Sequence, residues 1–90
     1  MSEPYLTQYG LMAERHWRKL RPKMVSKLEA EGKLMEALFE AQETTIEEMD
    51  ALYRQLMKTP GTTPQQAQDQ AWEMVREKYI LLQAEEGQSL

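Results

Sequence analysis

Residues 21–38 read RPKMVSKLEAEGKLMEAL and contain the two clearest helix breaks in an otherwise helix-forming chain, Pro22 and Gly32. A proline disfavours helical geometry at the residue before it, so a first helix is expected to end near Leu20. Proline is tolerated at the first position of a helix, which predicts a short second helix from Pro22 to Glu31. Gly32 can adopt the left-handed conformation that ends many helices, so a third helix is expected just after it.

Upstream of this stretch, apolar and aromatic residues recur from Leu6 to Leu20 at steps of three and four, which predicts an amphipathic first helix. The pattern continues through the proline without a change of phase. Its members are Ala13, Trp17, Leu20, Met24 and Leu28. The sequence therefore leaves two interpretations open, in which Pro22 either separates two helices or kinks a single one.

Downstream of Gly32, one long amphipathic helix is predicted over residues 33–58. Its main apolar positions are spaced as one face of a helix. They are Leu34, Leu38, Ala41, Thr45, Met49, Leu52 and Leu56. A second row widens this face and suits a helix that packs on two neighbours. The second row consists of Met35, Phe39, Ile46, Tyr53 and Met57.

A returning helix is predicted over residues 64–83. Thr63 is a favourable N-cap, Pro64 suits the first helical position, and Gln66 has capping-box spacing. The chain is rich in helix-forming residues and holds only four valines and isoleucines, too few for a sheet core. We therefore predict an all-α fold, a small bundle of three to four helices. Residues 1–84 are expected to form one domain and residues 85–90 a disordered tail.

Several function classes are disfavoured by composition. The chain has no cysteine, which excludes disulfides, cysteine-based zinc sites and thiol catalysis. The first residues show no signal-peptide pattern, and the longest apolar run is far shorter than a membrane span. We expect a cytoplasmic protein without a membrane partner.

Catalytic chemistry has little support in the sequence. His16 is the only histidine, and its position beside Trp17 predicts a half-buried packing role. No Glu-x-x-His pairing and no phosphate-binding loop occurs. We predict that the protein is not an enzyme, with no catalytic, cofactor-binding or metal-binding residues and no small-molecule substrate.

Charge is distributed unevenly along the chain. Residues 1–28 carry six cations and two acids, whereas residues 29–90 carry five cations and thirteen acids. The basic segment 15–27 supports one hypothesis, a small DNA- or RNA-binding protein. Its candidate contacts are Arg15, Arg18, Lys19, Arg21 and Lys23. A solvated basic surface that offsets the acidic remainder explains the same residues.

The acidic remainder supports the other hypothesis, binding to another protein or to a second copy. Seven methionines provide deformable apolar contact surface. A candidate protein-binding acidic face lies on the polar side of the long helix. Its members are Glu36, Glu40, Glu43 and Glu47. Such a face can enter the basic channel of a nucleic-acid enzyme and so modulate or inhibit that enzyme.

Three short motifs resemble one protein family. They are Tyr9-Gly10-x-Met12, Trp17-Arg18-x-x-Arg21-Pro22 and Leu28-x-x-x-Gly32-Lys33-Leu34-x-Glu36-x-Leu38. This pattern resembles the small TnpV-type proteins encoded on bacterial transposons, and weaker similarity extends to Val75. The resemblance implies an accessory protein of a bacterial mobile element or phage, and it carries no catalytic residues to this chain. We expect a non-enzymatic accessory protein that acts by binding another protein.

Overall fold

A single residue forms the corner between the first two helices. The computed structural model describes residues 6–85, and in that range it contains four helices and no strand, which confirms the predicted all-α bundle. The helices are α1 (Gln8–Leu20), α2 (Pro22–Ala30), α3 (Leu34–Met57) and α4 (Pro64–Tyr79). Between α1 and α2, Arg21 has φ −132° and ψ 55°, which lies outside the helical region. Pro22 therefore separates two helices and does not kink one.

Gly32 ends α2 as predicted. Its φ of +70° is a left-handed conformation that glycine adopts without strain. The Lys33 amide donates to the Leu28 carbonyl oxygen at 2.8 Å, and the Gly32 amide donates to the Glu29 carbonyl oxygen at 3.0 Å. This Schellman arrangement satisfies the last carbonyl groups of α2 and leads directly into α3. Helix α3 differs from the predicted range 33–58 by one residue at each end.

Helix α4 begins at the predicted capping box. Thr63 Oγ1 accepts a hydrogen bond from the Gln66 amide, and Gln66 Oε1 accepts one from the Thr63 amide, both at 3.1 Å. The prediction that this helix continues to residue 83 is wrong, because it ends at Tyr79. Residues 80–85, here called the C-terminal strap, leave the helix and pack across the α1–α2 corner.

Side chains near the corner bind the backbone of the C-terminal strap. Trp17 Nε1 donates a hydrogen bond to the Ile80 carbonyl oxygen at 3.0 Å, and His16 Nε2 donates one to the Leu82 carbonyl oxygen at 2.7 Å. Arg21 Nη1 donates one to the Gln83 carbonyl oxygen at 3.0 Å. Ile80 itself is fully buried. Because these tertiary contacts satisfy the strap carbonyl groups, the chain leaves the helix although its local pattern is compatible with one.

Glu85 caps α2 from the far end of the chain. The residue that precedes α2, Arg21, provides no side-chain cap. The Glu85 carboxylate instead accepts hydrogen bonds from the Lys23 amide at 3.2 Å and the Met24 amide at 2.8 Å. Its own amide donates to the Leu20 carbonyl oxygen at 3.0 Å. A carboxylate at this position is also favoured by the positive end of the helix dipole.

The proposed tail at residues 85–90 therefore includes one residue with a defined structural role. Glu85 is half-buried and forms the three hydrogen bonds given above. Residues 86–90 lie outside the described residues, as do residues 1–5. The predicted disorder of residues 86–90 remains a prediction.

The core consists of two adjoining clusters. The first joins α1, α2, α3 and the C-terminal strap, and its buried members are Ala13, Trp17, Val25, Leu38 and Ile80. The second lies between α3 and α4, and its buried members are Met49, Ala71 and Val75. The Tyr9 and Trp72 rings, 5.4 Å apart between centroids, connect the two clusters. Helix α3 contacts all three other helices and forms the spine of the bundle.

One predicted apolar face of α3 is only partly covered. The second row of apolar positions, here called the apolar row, consists of Met35, Phe39, Ile46, Tyr53 and Met57. Within this row, Met35 is 53% exposed, Ile46 38% and Met57 37%. The expectation that α3 packs on more than one neighbour is confirmed, but these three side chains stay exposed. They form an open flank of α3.

A buried glutamine secures the start of α1. Gln42 is 1% exposed, and its Oε1 accepts hydrogen bonds from the amide and the hydroxyl of Thr7, the latter at 3.0 Å. Gly10 provides the space for this contact, since a Cβ there would lie 2.5 Å from Gln42 Oε1. The glycine that weakens α1 locally is therefore required by tertiary packing.

We predict that Glu85→Ala destabilises the protein by about 1 kcal/mol, the usual effect of removing an N-cap. The loss should be concentrated in the first turn of α2, because the Lys23 and Met24 amides lose their acceptor. Urea denaturation measures the free energy, and amide hydrogen exchange locates the change. Glu31→Ala, an exposed change at the other end of α2, is the control. Unchanged exchange at Lys23 and Met24 would contradict the assignment.

Candidate functional site

Four predicted carboxylates form an acidic stripe along α3. Its members are Glu36, Glu40, Glu43 and Glu47. All four are exposed, and steps of four, three and four positions place them on one side of the helix. Fully buried Thr45 lies on the opposite side. Within residues 6–85 none of the four forms a salt bridge, so the stripe presents four negative charges without cationic partners.

The five cations proposed for nucleic-acid contact differ in their exposure and in their partners. They are Arg15, Arg18, Lys19, Arg21 and Lys23. Arg15 and Lys19 lie one turn apart on the outer face of α1, and both are exposed. Lys23 is exposed at the start of α2. Arg18 is exposed as well but pairs with two carboxylates, whereas Arg21 is half-buried.

Arg18 and Arg21 already bind protein acceptors. Arg18 donates to Glu14 Oε2 at 3.0 Å and to Glu29 Oε2 at 3.2 Å, and these hydrogen bonds raise the pKa of its guanidinium. Arg21 Nη1 binds the C-terminal strap, while its buried Nε has no hydrogen-bond partner. A phosphate group would have to displace these contacts. Arg15 and Lys23, which are both exposed, are therefore better placed to meet an anionic partner.

A groove of about 430 Å³ lies between the outer face of α1 and the C-terminal strap. Its apolar side chains are Leu11, Met12 and Leu81, and Arg15 and Lys19 also line it. We call this site the cationic groove. Leu11 is 48% exposed, although it is large and apolar.

Sequence reasoning missed the cationic groove for two reasons. Leu11 lies off the periodic stripe that predicted the buried face of α1. The predicted helix 64–83 includes Leu81, whereas in the structure Leu81 belongs to the C-terminal strap. The sequence signal for the groove is Leu11, a leucine outside the apolar stripe and four positions before Arg15. This signal is weak, because single leucines on a protein surface are common.

His16 has a structural role in the strap contact. It is half-buried, and its Nε2 lies 2.7 Å from the Leu82 carbonyl oxygen. Because a carbonyl oxygen only accepts hydrogen bonds, this nitrogen carries the proton. Among residues 6–85, no group of three His, Asp or Glu side chains is arranged to hold a metal ion.

Glu48 connects α3 to α4 and was not anticipated from the sequence. Its carboxylate accepts hydrogen bonds from the Tyr79 hydroxyl and from Lys78 Nζ, the latter at 3.4 Å. The Tyr79 hydrogen bond, followed by the contact with Lys78, lowers the pKa of Glu48. The same hydrogen bond raises the pKa of the Tyr79 hydroxyl. Glu48 follows Glu47 directly, and the rotation of about 100° per residue turns it from the stripe toward α4.

The acidic stripe and the cationic groove are the main charged surfaces described above. Comparison with known proteins identifies the family of the chain. The family model of the transposon-encoded protein TnpV matches residues 1–87, nearly the whole chain. The chain belongs to the TnpV family. This result confirms the resemblance carried by the motifs around Gly10, Pro22 and Gly32. It places the TnpV-family chain among proteins encoded on transposons.

The remaining comparisons add no further relatives. No curated protein and no solved structure shows significant similarity to the chain. None of the helices in residues 6–85 combines the length and the apolar character that crossing a bilayer requires.

We predict that Glu48→Gln reduces the loss of stability in acid. The folded-state pKa of Glu48 is lowered, so its ionised form stabilises the fold above the unfolded-state pKa. This contribution is lost as the pH falls through the folded-state pKa. Urea denaturation between about pH 6 and pH 3, a range that spans carboxyl titration, should therefore show a smaller decrease for the variant than for the wild type.

The matched control is Glu47→Gln, one position away. Glu47 is exposed and forms no salt bridge within the described part of the chain. This control should keep the wild-type pH dependence. Equal pH dependence in Glu48→Gln and the wild type would contradict a stabilising role for the Glu48 carboxylate.

Proposed function

We propose that this TnpV-family protein is a non-enzymatic accessory protein of a mobile element that acts by binding another protein through the acidic stripe of α3. The observation that carries the proposal is the line of four exposed carboxylates that have no cationic partner within residues 6–85. The partner is a nucleic-acid enzyme, and binding modulates or inhibits it.

The geometry of the acidic stripe supports this choice of partner. Residues three or four positions apart on a helix are about 5–6 Å apart, and the stripe extends over about 16 Å. Proteins that bind DNA or RNA line their channels with Lys and Arg to neutralise a regular series of phosphates. A line of carboxylates on a rigid helix offers such a channel a similar series of charges. Complementary charge would also speed the encounter of the two proteins.

Replacing all four stripe carboxylates by glutamine should abolish capture of the partner. Tagged wild-type and variant proteins are incubated with nuclease-treated lysate of the native host, and the bound proteins are identified by mass spectrometry. We expect nucleic-acid enzymes to be enriched on the wild type by at least about tenfold over the variant, because several charge contacts are lost together.

A second variant controls for net charge. It replaces four other exposed acids by glutamine, and these are Glu31, Asp69, Glu73 and Glu77. This control has the same net charge as the stripe variant and should retain the captured proteins. Equal capture by the stripe variant and the wild type would refute the proposal, and so would equal loss in both variants.

One observation favours direct nucleic-acid binding as a second candidate function. Arg15 and Lys19 are exposed one turn apart on α1, and Lys23 is exposed at the start of α2. Cations spaced in this way can contact neighbouring phosphates without displacing the partners of Arg18 or Arg21.

We predict that this candidate, if correct, shows salt-dependent binding that involves Arg15 and Lys19. Fluorescence anisotropy with a labelled DNA duplex gives the slope of log K against log salt concentration. Replacing both residues by glutamine should reduce the magnitude of that slope by about 1.8, since each phosphate contact contributes about 0.9. Arg18→Gln is the control and should leave the slope unchanged. Absence of binding by the wild type at low salt would eliminate this candidate.

A further inference from the structure

The four helices form a thin slab. Its principal dimensions, measured over Cα atoms, are 48 × 42 × 14 Å, and its radius of gyration is 15.2 Å. A compact chain of this length has a radius of gyration of about 12 Å. A thickness of 14 Å corresponds to about two layers of helices at the usual axis separation of 8–10 Å. Such a slab has little interior and leaves apolar side chains on its surfaces.

Two of these exposed apolar sites carry opposite charge. The cationic groove combines exposed Leu11 with Arg15 and Lys19, four and eight positions further along the same face of α1. The apolar row of α3 combines exposed Ile46 with carboxylates on its outward side. Glu43 precedes Ile46 by three positions and Asp50 follows it by four.

The carboxylates beside Ile46 are accessible to a second molecule. Glu43 is exposed and forms no salt bridge within the described residues. Asp50 contacts Arg54 at 3.0 Å, but both side chains are more than half exposed. An exposed ion pair of this kind contributes little to stability and can exchange partners readily.

We propose that two copies of the chain associate, with the apolar row of one copy seated in the cationic groove of the other. Ile46 would cover Leu11, while Glu43 and Asp50 would face Arg15. The groove volume of about 430 Å³ accommodates the few large side chains that a helix presents on one face. The proposed arrangement places both contacts about a two-fold axis, so that each copy seats its row in the groove of the other and the assembly closes as a dimer and not as a ring or filament.

A second copy is the occupant that these charges and exposed side chains favour, because one molecule supplies both the apolar and the charged complement of each site. Glu43 also belongs to the acidic stripe, so the dimer would cover one of the four carboxylates of that stripe. Dimerisation concerns the mass of the protein in solution and is tested without any other partner.

Sedimentation velocity of the full chain tests the proposal. The wild type should form a dimer that dissociates on dilution and at high salt. Arg15→Glu and Glu43→Lys should each raise the dimer dissociation constant by at least about tenfold, because each places like charges opposite one another twice in the interface. An equimolar mixture of the two variants should recover the wild-type dissociation constant, because both contacts in the mixed dimer then join opposite charges.

Matched reversals outside the interface serve as controls. Lys27→Glu on α2 and Glu77→Lys on α4 change the same charges at exposed positions and should associate like the wild type. A wild type that stays monomeric at every concentration and salt would overturn the proposal and leave the groove to a partner of another kind. Single variants that associate normally, or a mixture that fails to recover association, would overturn it as well.

Discussion

The hydrogen bond from the Trp17 indole to the Ile80 carbonyl oxygen is the contact on which the arrangement of the helices depends. Trp17 is 4% exposed, and Ile80 packs in the same buried cluster. If the C-terminal strap moved away, the indole N–H would remain unpaired in the core, at a cost of about 1–3 kcal/mol. Packing and hydrogen bonding therefore act together to join the α1–α2 corner to the end of α4.

The position of the C-terminal strap also determines the shape of the cationic groove and the partners of the basic residues. The C-terminal strap brings Leu81 against α1 and so completes the cationic groove. It binds Arg21 and thereby removes one cation from the basic segment, while Glu14 and Glu29 neutralise Arg18. The fold thus determines which cations of the basic segment have acceptors within the protein. The acidic stripe, in contrast, depends only on α3, because it lies on the side of that helix that faces away from the core.

The features that could be predicted from the sequence are those decided by near neighbours. Pro22, Gly32 and the capping box at Thr63 act on residues within one turn, and the acidic stripe follows from helical spacing alone. The end of α4 could not be predicted, because the donors that bind the strap lie 62 to 66 positions away. The role of Gln42 could not be predicted for the same reason, since its partner Thr7, the N-cap of α1, lies 35 positions away. The open flank at Ile46 was missed because periodicity identifies an apolar face without showing what covers it.

The capping of α2 by Glu85 has a consequence for the order in which the chain folds. Helices α3 and α4 are adjacent in sequence and can pack as soon as both have been synthesised. The first turn of α2 has no acceptor of its own and remains uncapped until residue 85 has left the ribosome. We therefore expect the helical hairpin of α3 and α4 to order first and the amino-terminal corner to close last. The α1–α2 corner is thus completed by residues 80–85, and a fragment that lacks them would leave α1 and α2 without their anchor.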